Sequence, residues 1–142
     1  MRTTRWNLTL GLGLVLIANM ACNFSVSTAN MSSLKLGKDE KITQETSSFS
    51  PADTVYAVAT ISNAPGKVKV RGRLAFEDVP GEQPGPIPGL EATVDLPGSG
   101  TATFTFSPPS DGRAKGKYKV EAVMLNENGE QKDQKAASFT VN

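Results

Sequence analysis

Ten residues near the C-terminus, Gly116-Lys-Tyr-Lys-Val-Glu-Ala-Val-Met-Leu125, hold the chain to an extended conformation. Tyr118, Val120, Ala122 and Met124 recur at period two and share one face, while Lys117, Lys119 and Glu121 share the other. A helix would scatter both sets around its circumference. Asn128-Gly129 follows, a pair suited to the positive φ angles of a tight hairpin, and Ala137-Ser-Phe-Thr-Val141 alternates again. The chain therefore closes on a β-hairpin.

Upstream segments repeat the pattern. Thr54–Ile61 is almost continuously apolar, as a strand covered on most of its length would be. Lys67–Phe76 places Val68, Val70, Leu74 and Phe76 on one side, and Leu90–Leu96 and Thr101–Phe106 alternate as well. Between Val79 and Gly89, Pro80, Pro84, Pro86 and Pro88 remove backbone donors and predict a loop crossing. Six strands are expected, and Leu34-Lys-Leu36 can add a short seventh over residues 33–37. The expected fold is an all-β antiparallel sandwich over residues 49–142. Its expected core holds Val55 or Tyr56 with Ala57, Ala59 and Ile61, and the inward rows that end at Phe139 and Val141.

Gly116-Lys-Tyr118-Lys-Val120 resembles the late strand of immunoglobulin-like domains, in which a Tyr near the strand start forms a corner. The resemblance implies an immunoglobulin-like strand order. The Cys pair and core Trp of antibody domains are missing here, as they commonly are from bacterial modules of this kind.

The other end of the chain is an address. Arg2 and Arg5 precede Leu8–Ala18, an uncharged apolar run too short to cross a bilayer, which needs roughly 20 residues. Residues 1–21 therefore have the form of a secretory signal peptide. The sole cysteine, Cys22, follows Ala21 directly, and Ala21-Cys22 after such a run resembles the lipobox of bacterial lipoproteins. That resemblance implies diacylglyceryl transfer to the Cys22 thiol and cleavage before it, with the membrane as a partner; Asn19 departs from the aliphatic residue the family prefers three places earlier. Ser27-Thr-Ala29 offers a competing exit, and cleavage after Ala29 would release a soluble periplasmic or secreted factor. Residues 22–48 are rich in Ser, Thr and Asn and are expected to be a flexible tether.

Composition narrows the chemistry. There is no His, which removes the commonest general base and the usual triads, and one Cys cannot pair within the chain. No metal site or cofactor is expected, Asp53, Asp78, Asp95 and Asp111 forming no dense oxygen-ligand run. Lys plus Arg number 15 against 14 acids, so nucleic acid is not an expected partner.

The most distinctive surface feature is a basic row: Lys67, Lys69, Arg71 and Arg73 point away from the core on one strand, and Lys117 and Lys119 do so on another. Brought side by side, these six would meet an anionic glycan, lipid or envelope protein. Against this, Arg71 facing Glu121 and Glu77 facing Lys117 would offset much of the charge, and lysines on a strand also guard against edge pairing. The Pro/Gly crossing is a second candidate, for recognition or as a plain connection. The expected function is non-catalytic: a binding or scaffolding module, exported and held to the bacterial cell envelope by Cys22, or a diffusible inhibitor or chaperone-like subunit. A glycan-directed enzyme using carboxylates alone would need two acids across a cleft.

Overall fold

The computed structural model describes residues 29–142, and the expected signal peptide and Cys22 lie outside the described residues. Eight strands follow in order: β1 (Asn30–Gly37), β2 (Ser48–Phe49), β3 (Val55–Ser62), β4 (Val68–Asp78), β5 (Gly85–Leu96), β6 (Gly100–Phe106), β7 (Gly116–Leu125) and β8 (Gln131–Val141). They form a β-sandwich of two sheets, one ordered β1-β3-β6 and the other β2-β8-β7-β4-β5. All pairings are antiparallel except the short β2–β8 contact.

Alternation produces this architecture. In β7 the four residues at period two, Tyr118 to Met124, are buried, and β3 and β6 alternate in the same way. Facing rows from the two sheets interlock around Phe104, Leu74, Val70, Val120 and Met124. At one end Tyr118 stacks on Phe139 at 5.4 Å, and Phe139 meets Phe49 edge-on at 5.1 Å. Burying a ring of this kind stabilises by about 2–3 kcal/mol relative to exposure.

Several expectations need correction. Residues 30–48 belong to the domain and are not a tether. β1 spans Asn30–Gly37, beyond the expected 33–37, and buries Met31 and Leu36 in the core. The loop after it is pinned: Asp39 accepts the N–H groups of Lys41 and Thr43 and the Thr43 hydroxyl, and these bonds, led by the hydroxyl's, hold its carboxyl below the ordinary range. Lys38, expected in a solvated linker, pairs with Asp53 at 3.2 Å.

The Pro/Gly crossing is also shorter than expected, because β5 begins at Gly85 and contains Pro86 and Pro88. A strand at the edge of its sheet tolerates proline, and a break in register between Arg73 and Ala75 sets Pro86 opposite Ala75. The final hairpin turns through Asn126–Glu130 rather than a two-residue loop. Gly129 has φ +81°, Asn128 does not take positive φ, and the Asn126 side chain accepts from the Asn128 and Glu130 N–H groups. Phe76, Leu90 and Val94, expected in the core, are only partly buried at its margin.

Register gives the sandwich two ends. Asn30 pairs with Ser62, and near this end lie Val68, Gly100 and the Asn126–Glu130 turn. Here the chain enters the domain. At the far end are the residue 38–54 segment, the residue 79–84 crossing and the residue 107–115 loop.

Candidate functional site

The basic row emerges on the outer face of the five-stranded sheet, but acids flank it on both sides. Lys69 sits 3.9 Å from Asp95, Arg71 3.8 Å from Glu91, and Arg73 3.0 Å from Glu121, which also lies 3.9 Å from Lys119. Arg73, and not Arg71, stands opposite Glu121; Lys117 is opposite Asp78, and Glu77 accepts from the Ser138 hydroxyl. The exposed pairs of Lys69 and Arg71 are worth at most about 1 kcal/mol each, and the part-buried Arg73–Glu121 pair adds to them; together they cancel most of the field a ligand would feel.

Lys67 and Lys117 make no ion pair among the described residues. They lie toward opposite ends of β4, Lys117 beside Asp78 and Lys67 just before Val68. Eleven positions of strand, roughly 36 Å, separate them. The two strands are neighbours, as expected, and the six bases thus form a long row interrupted by acids and not a compact patch. Lys67 instead lines a groove of about 600 Å³ with Lys69, Asp95, Leu96, Asn126 and Glu127, at the end where β1 begins.

A second cleft, about 440 Å³, opens at the far end between the residue 79–84 crossing and the residue 107–115 loop. Phe76, Ile87, Leu90 and Tyr118 line it with Pro108 and Pro109, and Glu82 and Asp111 stand at its margin. Neither acid forms an ion pair among the described residues. This cleft was not legible in the sequence, because its two walls lie more than twenty residues apart and become neighbours only when the sheets pack.

Arg113 and Tyr118 hold the wall in place. Arg113 is 5% exposed, and its guanidinium donates to the carbonyls of Asp53 at 3.3 Å, Phe106 at 3.2 Å and Ser107 at 3.2 Å. Burial pulls its pKa below the ordinary value. The Tyr118 hydroxyl donates to the Ala114 carbonyl at 2.7 Å, a corner closed four residues upstream. Burial raises the Tyr118 pKa, and Glu82 nearby adds to the rise while Arg113 opposes it.

A tyrosine whose folded pKa is raised lends stability that is full below the unfolded value near 10 and is lost as pH climbs through the folded one. We therefore expect Tyr118→Phe to cost about 0.5–1.5 kcal/mol at neutral pH, for one lost hydrogen bond. The same variant should lose less stability than the parent between pH 9 and 11. Urea melts across that range check both signs, and parallel curves for the two proteins would disprove the assignment.

No family model matches the chain, and no curated protein matches it. Solved structures of similar shape include a "putative beta-galactosidase" from Bacteroides fragilis, 16% identical with TM-score 0.47 over 80% of this chain and 17% of that one. Another is the soluble domain of PmoD from Methylocystis sp. (Rockwell), 16% identical with TM-score 0.45 over 77% of this chain and 89% of that one. The chain thus spans under a fifth of the first of these, and neither likeness bears on chemistry or ligand.

Proposed function

We propose that the protein is an exported, non-catalytic β-sandwich of immunoglobulin-like order, held to a bacterial membrane through a lipid on Cys22 and presenting its far end to envelope partners. The observation that carries this is where the chain joins the sandwich. Only Asn23-Phe-Ser-Val-Ser-Thr-Ala29, seven residues, separate Cys22 from Asn30, and Met31 is already core. The eight steps from Cys22 to Asn30 reach at most about 29 Å. A lipid on Cys22 would therefore hold the Asn30 end against the bilayer and turn the cleft of Phe76, Leu90 and Tyr118 outward.

The immunoglobulin-like order is supported by β1-β3-β6 facing β8-β7-β4-β5, which parallels strands A, B and E facing G, F, C and C′, and by the Tyr118 corner. A non-catalytic role is supported by a sequence without His and by a cleft whose two perturbed groups, Arg113 and Tyr118, already bond backbone carbonyls.

The test is intact mass and N-terminal sequencing of protein from its native host, beside Cys22→Ser. The expected product begins at acylated Cys22, partitions into detergent, and becomes soluble or unprocessed in the variant. A soluble chain beginning at Asn30, indifferent to Cys22→Ser, would overturn the anchor and favour the diffusible factor.

A further inference from the structure

Two open sheets have four edges, and an unpaired edge offers backbone donors and acceptors to any other strand. Three of the four are guarded. β5 carries Pro86 and Pro88, which lack donors, and the acids Glu91 and Asp95. β2 covers only the end of β8, and the rest of β8 sets Lys135 and Asp133 opposite the core residues Ala122 and Met124, so that charge points inward along that edge. β1 bulges between Met31 and Ser33 and leans on β8, the Met31 N–H donating to Asp133 at 2.8 Å.

β6 has none of these devices. No residue from Leu96 to Ser110 is charged, and no proline lies within Gly100–Phe106. Its pairing with β3 runs without a bulge, and its other edge pairs with no strand among the described residues. Thr101, Thr103 and Thr105 are exposed on the outer face, while Ala102, Phe104 and Phe106 are buried on the inner.

We infer that this edge pairs with β6 of a second copy, antiparallel about a two-fold axis at Thr103. The occupant follows from the strand's own chemistry. In an isologous contact residue i meets j while j meets i, so the strand faces its own sequence reversed, and an uncharged strand brings no like charges together; β6 carries none. The axis sets Thr101 against Thr105 of the second copy, a favourable cross-strand pair. It sets Ala102 against Phe104, small against large, on the buried side. The two small sheets become one of six strands, β1-β3-β6-β6-β3-β1. Neither this arrangement nor its test depends on whether Cys22 is acylated.

The test uses the full chain in mild detergent with Cys22→Ser, which leaves an introduced thiol as the sole one. Directly opposed residues of an antiparallel pair lie within disulfide range. Thr103→Cys is expected to give a disulfide-linked dimer under mild oxidation, at about ten times the yield of Thr93→Cys, an exposed position on β5. Thr101→Cys mixed with Thr105→Cys should crosslink better than either alone. Thr103→Lys should sediment as a monomer at about 100 µM, where the Cys22→Ser parent sediments as a dimer, an edge contact being small. Equal crosslinking at Thr103 and Thr93, a parent that is monomeric at that concentration, or crosslinking of Thr101→Cys alone in preference to the mixture would each overturn the pairing.

Discussion

Replacing Gly72 with alanine is expected to cost about 1–3 kcal/mol, and replacing it with valine to cost more, enough to leave much of the chain unfolded. A Cβ at this position would come within 2.8 Å of three carbons of the Phe104 ring, closer than side chains approach one another. Gly72 lies on the inward face of β4 between Val70 and Leu74, and Phe104 descends onto it from the other sheet. Neither side yields readily. β4 is hydrogen-bonded to β5 and β7 on its two edges, and Phe104 is 2% exposed and fixed opposite Ala57. Urea melts measure the loss. The double variant Gly72→Ala/Phe104→Leu should recover part of it, with a coupling of about 0.5–3 kcal/mol. A single variant as stable as the parent, or strictly additive losses in the double variant, would contradict this packing.

Gly72 also illustrates what the sequence conveys and what it withholds. Period two identified β4, β6 and β7 and their inward rows, because a side chain on the wrong face would be exposed or buried at measurable cost. β3 reads as a near-continuous apolar run, which leaves Val55 or Tyr56 open as its inward start, and its inward row begins at Val55. A glycine contributes no side chain to that pattern, so the closest approach between the sheets passes unseen. β1 was hidden for a different reason. Met31 and Leu36 are five positions apart, an odd interval that a regular strand would send to opposite faces, and the bulge between Met31 and Ser33 restores both to the core. Ser32 and Ser33 between them gave the stretch the composition of a linker. β8 blurs similarly, since only its Phe139–Val141 end is packed under β2, and Gln131–Ala136 runs along a polar margin.

The outward direction of Lys69, Arg71 and Arg73 was legible for the same reason the core was. Their partners were not, because partners depend on register. Setting Arg71 against Glu121 requires β7 to sit two residues from its actual place, and the packing of strands that are not consecutive in the chain decides that, while the break between Phe76 and Asp78 moves Lys117 from Glu77 to Asp78. A two-residue slip preserves every inward and outward assignment, so alternation cannot detect it. It nonetheless decides which base meets which acid, and with that whether the face is a charged patch or a balanced one.

Arg113→Ala is expected to destabilise the fold by about 2–4 kcal/mol, since three backbone carbonyls lose hydrogen bonds from a charged donor and a buried side chain leaves a void. Nothing in the local sequence singles this residue out, because it follows a Ser/Pro/Gly turn with no periodicity. Its burial arises when the residue 107–115 loop closes over Pro51, whose carbonyl accepts the Arg113 N–H at 2.8 Å. The guanidinium then joins three segments: the turn before β3 through Asp53, the end of β6 through Phe106, and the loop itself through Ser107. Arg113→Lys should retain part of the stability, as one ammonium cannot reproduce the planar fork that reaches three acceptors. Arg113→Met fills the space without donors and separates packing from hydrogen bonding: if the bonds dominate, it should fall close to alanine. Hydrogen exchange adds a local readout. Gly112, whose N–H bonds the Pro109 carbonyl at 2.9 Å, should lose protection in Arg113→Ala before the β4–β7 amides do. Global stability within about 0.5 kcal/mol of the parent, with Gly112 protection unchanged, would show that the loop holds without Arg113. In that event Tyr118, bonded to Ala114 from the opposite side, would be the main brace of the cleft wall.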